Sequence, residues 1–444
     1  MHRNGKWVST KLELITRRAR EDPGCRFTSL AYLLNEDFLG QCFKELKKNK
    51  APGIDGVTWE QYAEKLEENV GRLVERMKAK KYRPQPLRRV HIPKDNKSQR
   101  SLGIPALEDK MVQMGITKIL SAIFEGDFLE VSYGFRPNRS PHDALDALDK
   151  AIMAEPVNYI VDADIKAFFD NVDHKWLIKC LKQRISDPSF LRLIVRFLKA
   201  GVMEEGKYME TDKDTPQGGV LSPILSNIYL HYVLDLWFNR KLKKQLKGYA
   251  KEIHYADDAI ICLQYQADAQ RVVEELKGRL SKFGLSLSEE KTRIIEFGRY
   301  AQAQARERGK KPDTFDFLGF THFCDRTRRG KFKVGRRTSR RRFRAKMKAM
   351  NGWLKSVRNF FRLRDWWKIL VAKLVGHYRY YGVSGNYESI RRFYFRTLNL
   401  VFKWINRRSQ RKSYTRAGFR QYLECYPLPK PKIYRNLYTL SPLK

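Results

Sequence analysis

Two segments in the middle of the chain carry the sharpest patterning. From Ile253 to Leu263 an apolar stretch holds two adjacent acids, in the order Tyr255-Ala256-Asp257-Asp258, and Ala259 to Leu263 after them reads as a buried strand. The acids therefore fall at a strand-turn-strand bend. Upstream, Asn158 to Ile165 reads as a second buried strand, whose period of two places Asp162 and Asp164 on one face. Toward the N-terminus the period changes. Phe38, Cys42, Phe43 and Leu46 recur at helical spacing before the Pro52-Gly53 break. A helix is predicted after Thr58, with the stripe Tyr62, Leu66, Val70, Leu73 and Met77, ending before Tyr82-Arg83-Pro84-Gln85-Pro86.

Strands resume beyond that stop, where Arg88, Lys94 and Arg100 bracket a hairpin whose turn is placed at Lys94 to Ser98. After the acidic strand, Asp170 to His174 caps a helix running through Trp176, Leu177 and Leu181. Thr215-Pro216-Gln217-Gly218-Gly219 is a loop by its Pro and Gly content, and Ser222-Pro223 reads as the N-cap and first turn of a helix carrying Leu225, Ile228 and Tyr232. Beyond about Thr338 the pattern is helical and aromatic. One segment carries Trp353, Leu354, Val357, Phe360 and Phe361, a second Trp366, Ile369, Leu370, Lys373 and Leu374, and a closing helix Phe402, Trp404 and Ile405. Pro427 to Tyr434 reads as an extended segment.

Charges inside apolar runs need pairing or a metal. Alone, the Asp257-Asp258 pair reads equally well as an Asp-rich hairpin turn, and an acidic strand end as a solvated edge. Together, three carboxylates on neighbouring strands are what a two-metal phosphoryl-transfer site requires, with one ion on a primer 3′-hydroxyl and the other on a triphosphate.

Composition points to a polyanionic partner: 89 Lys and Arg against 49 Asp and Glu leave a formal charge of +40. The charge is uneven. From Arg326 to Lys348, 13 of 23 residues are basic and none is acidic, while Phe332, Val334, Phe343 and Met347 interleave and could dock the run onto a core. No stretch of eighteen apolar residues exists and the N-terminus lacks the apolar core of a signal peptide, so an intracellular protein is expected. Six cysteines, at 25, 42, 180, 262, 324 and 425, show no paired spacing that suggests a disulfide framework or a zinc site.

Eight blocks stand in the order found in one family. They are Ala51 to Val57, Ile92-Pro93-Lys94, Arg100 to Pro105, Ser132 to Pro137, Asp164 to Asp170, Thr215 to Gly219, Tyr255 to Asp258 and Phe317 to Phe320. With Gly376 to Gly382, which resembles a maturase signature, the chain is similar to the reverse transcriptases and maturases encoded by group II introns, RNA-directed DNA polymerases, from about Leu34 onward. The resemblance implies an α+β right-hand polymerase, with fingers and palm carrying antiparallel sheet, followed by an α-helical thumb/maturase domain. Its parts would be an N-terminal extension at 1–33, fingers and palm at 34–325, thumb at 326–400 and a basic nucleic-acid-binding segment at 401–444. Many relatives carry a C-terminal DNA endonuclease with clustered Cys and His; none is expected here.

The same resemblance implies site roles. Asp164, Asp257 and Asp258 would hold two Mg²⁺ ions, with the Ile165 carbonyl assisting and Asp162 supporting or structural. Lys291 falls where the family has a lysine near the leaving pyrophosphate, although a surface lysine is an equal reading. Arg88, Lys94 and Arg100 would hold the incoming triphosphate or touch template phosphate instead, Gln217 would contact the nucleotide or the template base pair, and Phe169 would be the aromatic gate that collides with a ribose 2′-hydroxyl, or else core. Arg136, Arg139, Arg336, Arg337, Arg340, Arg341, Arg342, Arg407, Arg408, Arg411 and Lys412 are the candidate nucleic-acid contacts. The implied partners are a group II intron RNA, an RNA template with DNA or RNA primer, target DNA and dNTPs, without a membrane, in the cytoplasm and at the nucleoid when on DNA. A splicing-only maturase, or a related enzyme recruited to defence, repair or CRISPR adaptation, stays open.

Overall fold

The computed structural model describes residues 3–93, 99–204, 207–209, 219–408, 410 and 413–438. Its strands are β1 (Leu87–Pro93), β2 (Gln99–Ile104), β3 (Tyr159–Asp164), β4 (Val202–Glu204), β5 (Lys207–Met209), β6 (Ala250–Tyr255), β7 (Asp258–Leu263), β8 (Arg293–Glu296), β9 (Thr314–Phe317), β10 (Phe320–Arg326) and β11 (Phe332–Thr338). They form three sheets in the orders β2-β1-β4-β5, β6-β7-β3-β8 and β11-β10-β9. Pairing is antiparallel throughout except between β1 and β4. With helices on both sides of the middle sheet and a helical C-terminal third, this is the α+β palm-and-thumb arrangement the sequence implied.

The β6-β7-β3-β8 sheet divides the interior in two. Val161, Ala163, Ile261 and Leu263 feed a core shared with the N-terminal helices, whereas Ile160, Ile260, Cys262 and Ile295 feed a second core shared with the C-terminal helices. Period two explains both the near-continuous apolar run and the split. Asp162 and Asp164 share parity with Ile160, so the acids open onto the thumb side. The first core collects residues from Ala19 to Leu287, the second from Tyr133 to Leu437.

Local signals mostly hold. Asn35 accepts from the Phe38 N–H to start the Glu36–Glu45 helix, and Asp173 accepts from Trp176 to start His174–Leu181. The stripe after Thr58 is carried by two helices instead of one, Trp59–Ala63 and Leu66–Lys78. The break has a cause: the Tyr62 carbonyl accepts from the Asn69 side chain in place of the Leu66 amide that would continue the ladder. Ser222 is the first residue of the Ser222–Leu230 helix and not its cap, a place taken by Leu221.

Three long helices, Arg340–Val357, Leu363–Tyr381 and Tyr387–Ile405, build the thumb. Phe360 and Phe361 lie in the turn after the first of these and are exposed, so they are not part of its apolar stripe. The basic run from Arg326 is docked, as its interleaved apolar residues implied: Val334 and Phe343 are buried, with Phe332 and Met347 packed against them. The β10–β11 hairpin spans the boundary placed at 325/326, and the Tyr387–Ile405 helix spans that at 400/401. Residues Cys25 to Leu33 of the supposed extension pack in the first core. Near its end the chain returns to the palm, where Arg435 pairs with Asp143 at 2.7 Å and with Asp146 on the Pro141–Ala154 helix. Every described cysteine is a free thiol, and among the described residues no helix is long and apolar enough to cross a membrane.

Candidate functional site

β6 and β7 are joined by a two-residue turn, Ala256-Asp257, with Ala256 at φ +56°. A non-glycine residue there is strained by about 1–3 kcal/mol and must be held by its surroundings. Register then assembles the acids. Asp164 at the end of β3 lies directly opposite Asp258 at the start of β7, so their side chains share a face with Asp162 two residues back. Asp257 follows in the turn, half-buried. Beyond β3, the Ser288 amide donates to the Asp164 carbonyl and Lys166 to the Ser286 carbonyl, each at 2.8 Å. That pattern turns the Ile165 backbone groups away from this segment and toward the side of the bend.

The same segment carries Lys291, whose Nζ lies 2.9 Å from Asp164 Oδ2. Burial, then the neighbouring Asp162, Asp257 and Asp164, push the Asp258 carboxyl up to about 7, with Arg342 opposing. Burial likewise raises Asp162 to about 6 against the pull of Arg293, its cross-strand partner at 3.7 Å. Asp162 is paired with Arg293 and Asp164 with Lys291, and Asp164, Asp257 and Asp258 together offer a set of oxygen donors around the bend that a divalent cation could use.

Behind the bend lies a support the sequence reading missed. The strap Val131 to Phe135 runs against it: Tyr133 donates to the His254 carbonyl at 3.0 Å and His254 to the Val131 carbonyl at 2.9 Å. A Cβ on Gly134 would meet the Ala256 nitrogen at 2.4 Å, so only glycine permits this approach. Asn227 holds the strap by donating to the Gly134 carbonyl at 2.7 Å.

Beneath it, His254 is fully buried, with Nδ1 3.0 Å from the Ala256 carbonyl and Nε2 3.0 Å from Asp235 Oδ1. Burial opposes charge on this ring, but Asp235 and Glu252 outweigh it and raise His254 to about 9. Burial raises Glu252 to about 8, and Asp235 pushes the same way. Asp235 reaches this position from a π-helical turn, His231–Asp235, that continues the Ser222–Leu230 helix. The available signal was three ionisable residues in otherwise apolar segments, but the partners are 17 and 19 positions apart in sequence, from Asp235 to Glu252 and His254.

In front of the carboxylates a cavity of about 640 Å³ is bounded by Asp258, the Leu318-Gly319 turn and the thumb residues Arg342, Lys346, Trp353 and Lys373. Arg342 is therefore brought to the site. Phe169 is half-buried and packs edge-on against the buried Phe168 at 5.4 Å. Arg88 donates to the Pro52 carbonyl at 2.8 Å and so secures the Ala51 to Val57 loop beside β1. Arg100 is on β2, and Lys94, Gln217, Arg411 and Lys412 lie outside the described residues.

Two expected nucleic-acid contacts are corrected. Arg136 is buried against Glu125 at 2.9 Å and donates to the carbonyls of Leu129 and Ser132, and Arg336 is fully buried on Asp149; neither guanidinium can reach a phosphate. Arg139 is paired with Glu130 at 2.7 Å. Arg337, Arg340, Arg341, Arg407 and Arg408 are exposed.

Residues 92–322 match the family described as "Reverse transcriptase (RNA-dependent DNA polymerase)". The chain is 35% identical over 302 residues to "Group II intron-encoded protein LtrA" of Lactococcus lactis, covering 65% of this chain and half the length of that relative. It is 31% identical over 350 residues to "Protein YkfC" of Escherichia coli, covering 71% of this chain and 88% of that one. It is 32% identical over 246 residues to the "Uncharacterized 91 kDa protein in cob intron" of Schizosaccharomyces pombe, covering 55% of this chain and 30% of the relative.

Proposed function

Because the chain belongs to the reverse transcriptase (RNA-dependent DNA polymerase) family, we propose that it adds dNTPs to a primer 3′-hydroxyl on an RNA template and also binds a group II intron RNA as a maturase. The observation that carries this reading is the opposition of Asp164 and Asp258 across the palm sheet, with Asp257 in the adjoining turn and Asp258 lining a basic and aromatic cavity. Carboxylate and carbonyl oxygens suit a hard divalent cation. Asp164, Asp257, Asp258 and the Ile165 carbonyl would hold two Mg²⁺ ions, which when bound neutralise the triphosphate and activate the primer hydroxyl.

This chain's own residues do the rest. The register of β3 and β7 fixes the relative positions of Asp164 and Asp258, and the strap and His254 keep the strained Ala256 turn from relaxing. Lys291, whose Nζ lies 2.9 Å from Asp164, would give a proton to the departing pyrophosphate. Phe169, braced by Phe168, closes the space a 2′-hydroxyl would need. Arg88, Lys94, Arg100 and Gln217 are proposed to bind the nucleotide. Arg342, Lys346 and Lys373 meet backbone phosphates of the strand whose end reaches the carboxylates, and Trp353 and the Leu318-Gly319 turn support its sugars and bases. The protein would act in the cytoplasm, on nucleic acid.

The test is primer extension on an RNA template with labelled dNTPs and Mg²⁺. Asp257→Asn and Asp258→Asn are expected to abolish synthesis while keeping RNA affinity; polymerisation surviving in either would reject the assignment of these acids.

A further inference from the structure

On the far side of the first thumb helix, five arginines ring a second cavity of about 450 Å³: Arg337 from β11, Arg340 and Arg344 from the Arg340–Val357 helix, and Arg392 and Arg396 from the Tyr387–Ile405 helix. No carboxylate lines it, and among the described residues none of the five makes an ion pair. Five like charges around so small a space repel one another, and an anion is what such an arrangement attracts.

Three of the five guanidinium groups also sit over aromatic rings. Arg392 and Arg396 lie over the Phe343 ring at 5.2 and 5.5 Å, and Arg337 over Phe323 at 5.5 Å. A ring beside a guanidinium supports it by cation–π attraction while its N–H groups can still donate to an acceptor. This differs from a merely solvated charged face, where long side chains are unsupported.

The cavity is separate from the catalytic one. They share no lining residue, and between them stands an aromatic wall in which Phe343 meets Phe393 edge-on at 6.1 Å and His377 stacks on Phe393 at 3.7 Å. A strand whose 3′ end sits at Asp258 occupies the other side of that wall. We infer that this arginine cavity is a second nucleic-acid site, binding the phosphodiester backbone of folded RNA outside the template–primer groove. The inference rests on the polymerase reading for the choice of RNA. Arg344, Arg392 and Arg396 were invisible in the sequence because they are surface positions of two helices about fifty residues apart.

The experiment compares Arg392→Gln/Arg396→Gln, and separately Arg344→Gln, with wild type on three labelled probes: a long stem-loop RNA, a DNA hairpin of equal length and a short blunt RNA–DNA template–primer. Affinity is read against salt, and extension is read on the short substrate. The double variant should lower the salt slope for the stem-loop RNA by about 1.4–1.8, two released phosphate contacts, and extend the short substrate as wild type does. Arg392→Lys/Arg396→Lys should restore the slope, which a purely structural stacking role would not. An unchanged slope overturns the inference, as does an equal loss on the short substrate. A loss confined to the DNA hairpin overturns the choice of RNA. If wild type extends no primer while the variant still loses its RNA slope, the polymerase reading fails and the RNA site stands.

Discussion

Asp258 is the residue where cost and use meet, since burial and three neighbouring acids hold its carboxyl near 7 on the one face that opens to a basic cavity. Phe169 sits a few positions past Asp164 with its ring braced edge-on. Phe169→Ala should admit ribonucleotides in a single-addition assay, and unchanged sugar discrimination would remove it from the gate. His254 makes a different prediction. Its folded pKa, about 9, lies above the ordinary value of 6.5, so its stabilisation is full below pH 6.5 and is lost as pH rises through 9. Glu252, raised to about 8, acts in the same direction. Thermal melts of wild type should therefore fall between pH 6.5 and 9, and His254→Gln should flatten that slope. The same variant should lower kcat for nucleotide addition roughly 10–100-fold, the usual cost of losing a supporting partner, with KM for dNTP little changed; a KM effect alone would argue against positioning.

Among elements, the β6–β7 hairpin was the most legible and its support the least. Alternation in Asn158 to Ile165 and the acid pair after Tyr255 gave strand, face and bend, because period two is a local property. The opposition of Asp164 and Asp258, and the strap behind them, depend on which strands pair, which no local pattern encodes. For the same reason Arg136 and Arg336 were read as surface cations: a lone arginine carries no sign that Glu125 or Asp149 awaits it. The strap also gives a sharp test. Gly134→Ala would place a methyl 2.4 Å from the Ala256 nitrogen and push the bend from its register. A shift of about 1 Å at a reacting centre costs on the order of 10²-fold, so extension should fall by that order with RNA binding intact. Full activity would mean that the strap does not set the bend.

At the scale of the whole molecule, a small part of a formal charge of +40 is gathered at two basic cavities on opposite sides of one helix, five arginines at one and Arg342, Lys346 and Lys373 at the other. Affinity for long structured RNA should fall steeply with salt, more steeply than for a substrate short enough to fill the catalytic groove alone. Parallel titrations from 50 to 200 mM salt, about the range over which such contacts are felt, check this; coincident slopes would mean a single site.

The palm sheet that divides the interior also sets a timetable. One of its faces is clothed by residues no later than Leu287, but the other waits for Leu437 and for Arg435 to reach Asp143. On a ribosome, which releases the N-terminal part first, the fingers half can be complete while the catalytic face is covered only by the Pro141–Ala154 helix and still lacks its C-terminal helices. A stalled nascent chain of that length would be a client for chaperones before it could be a polymerase.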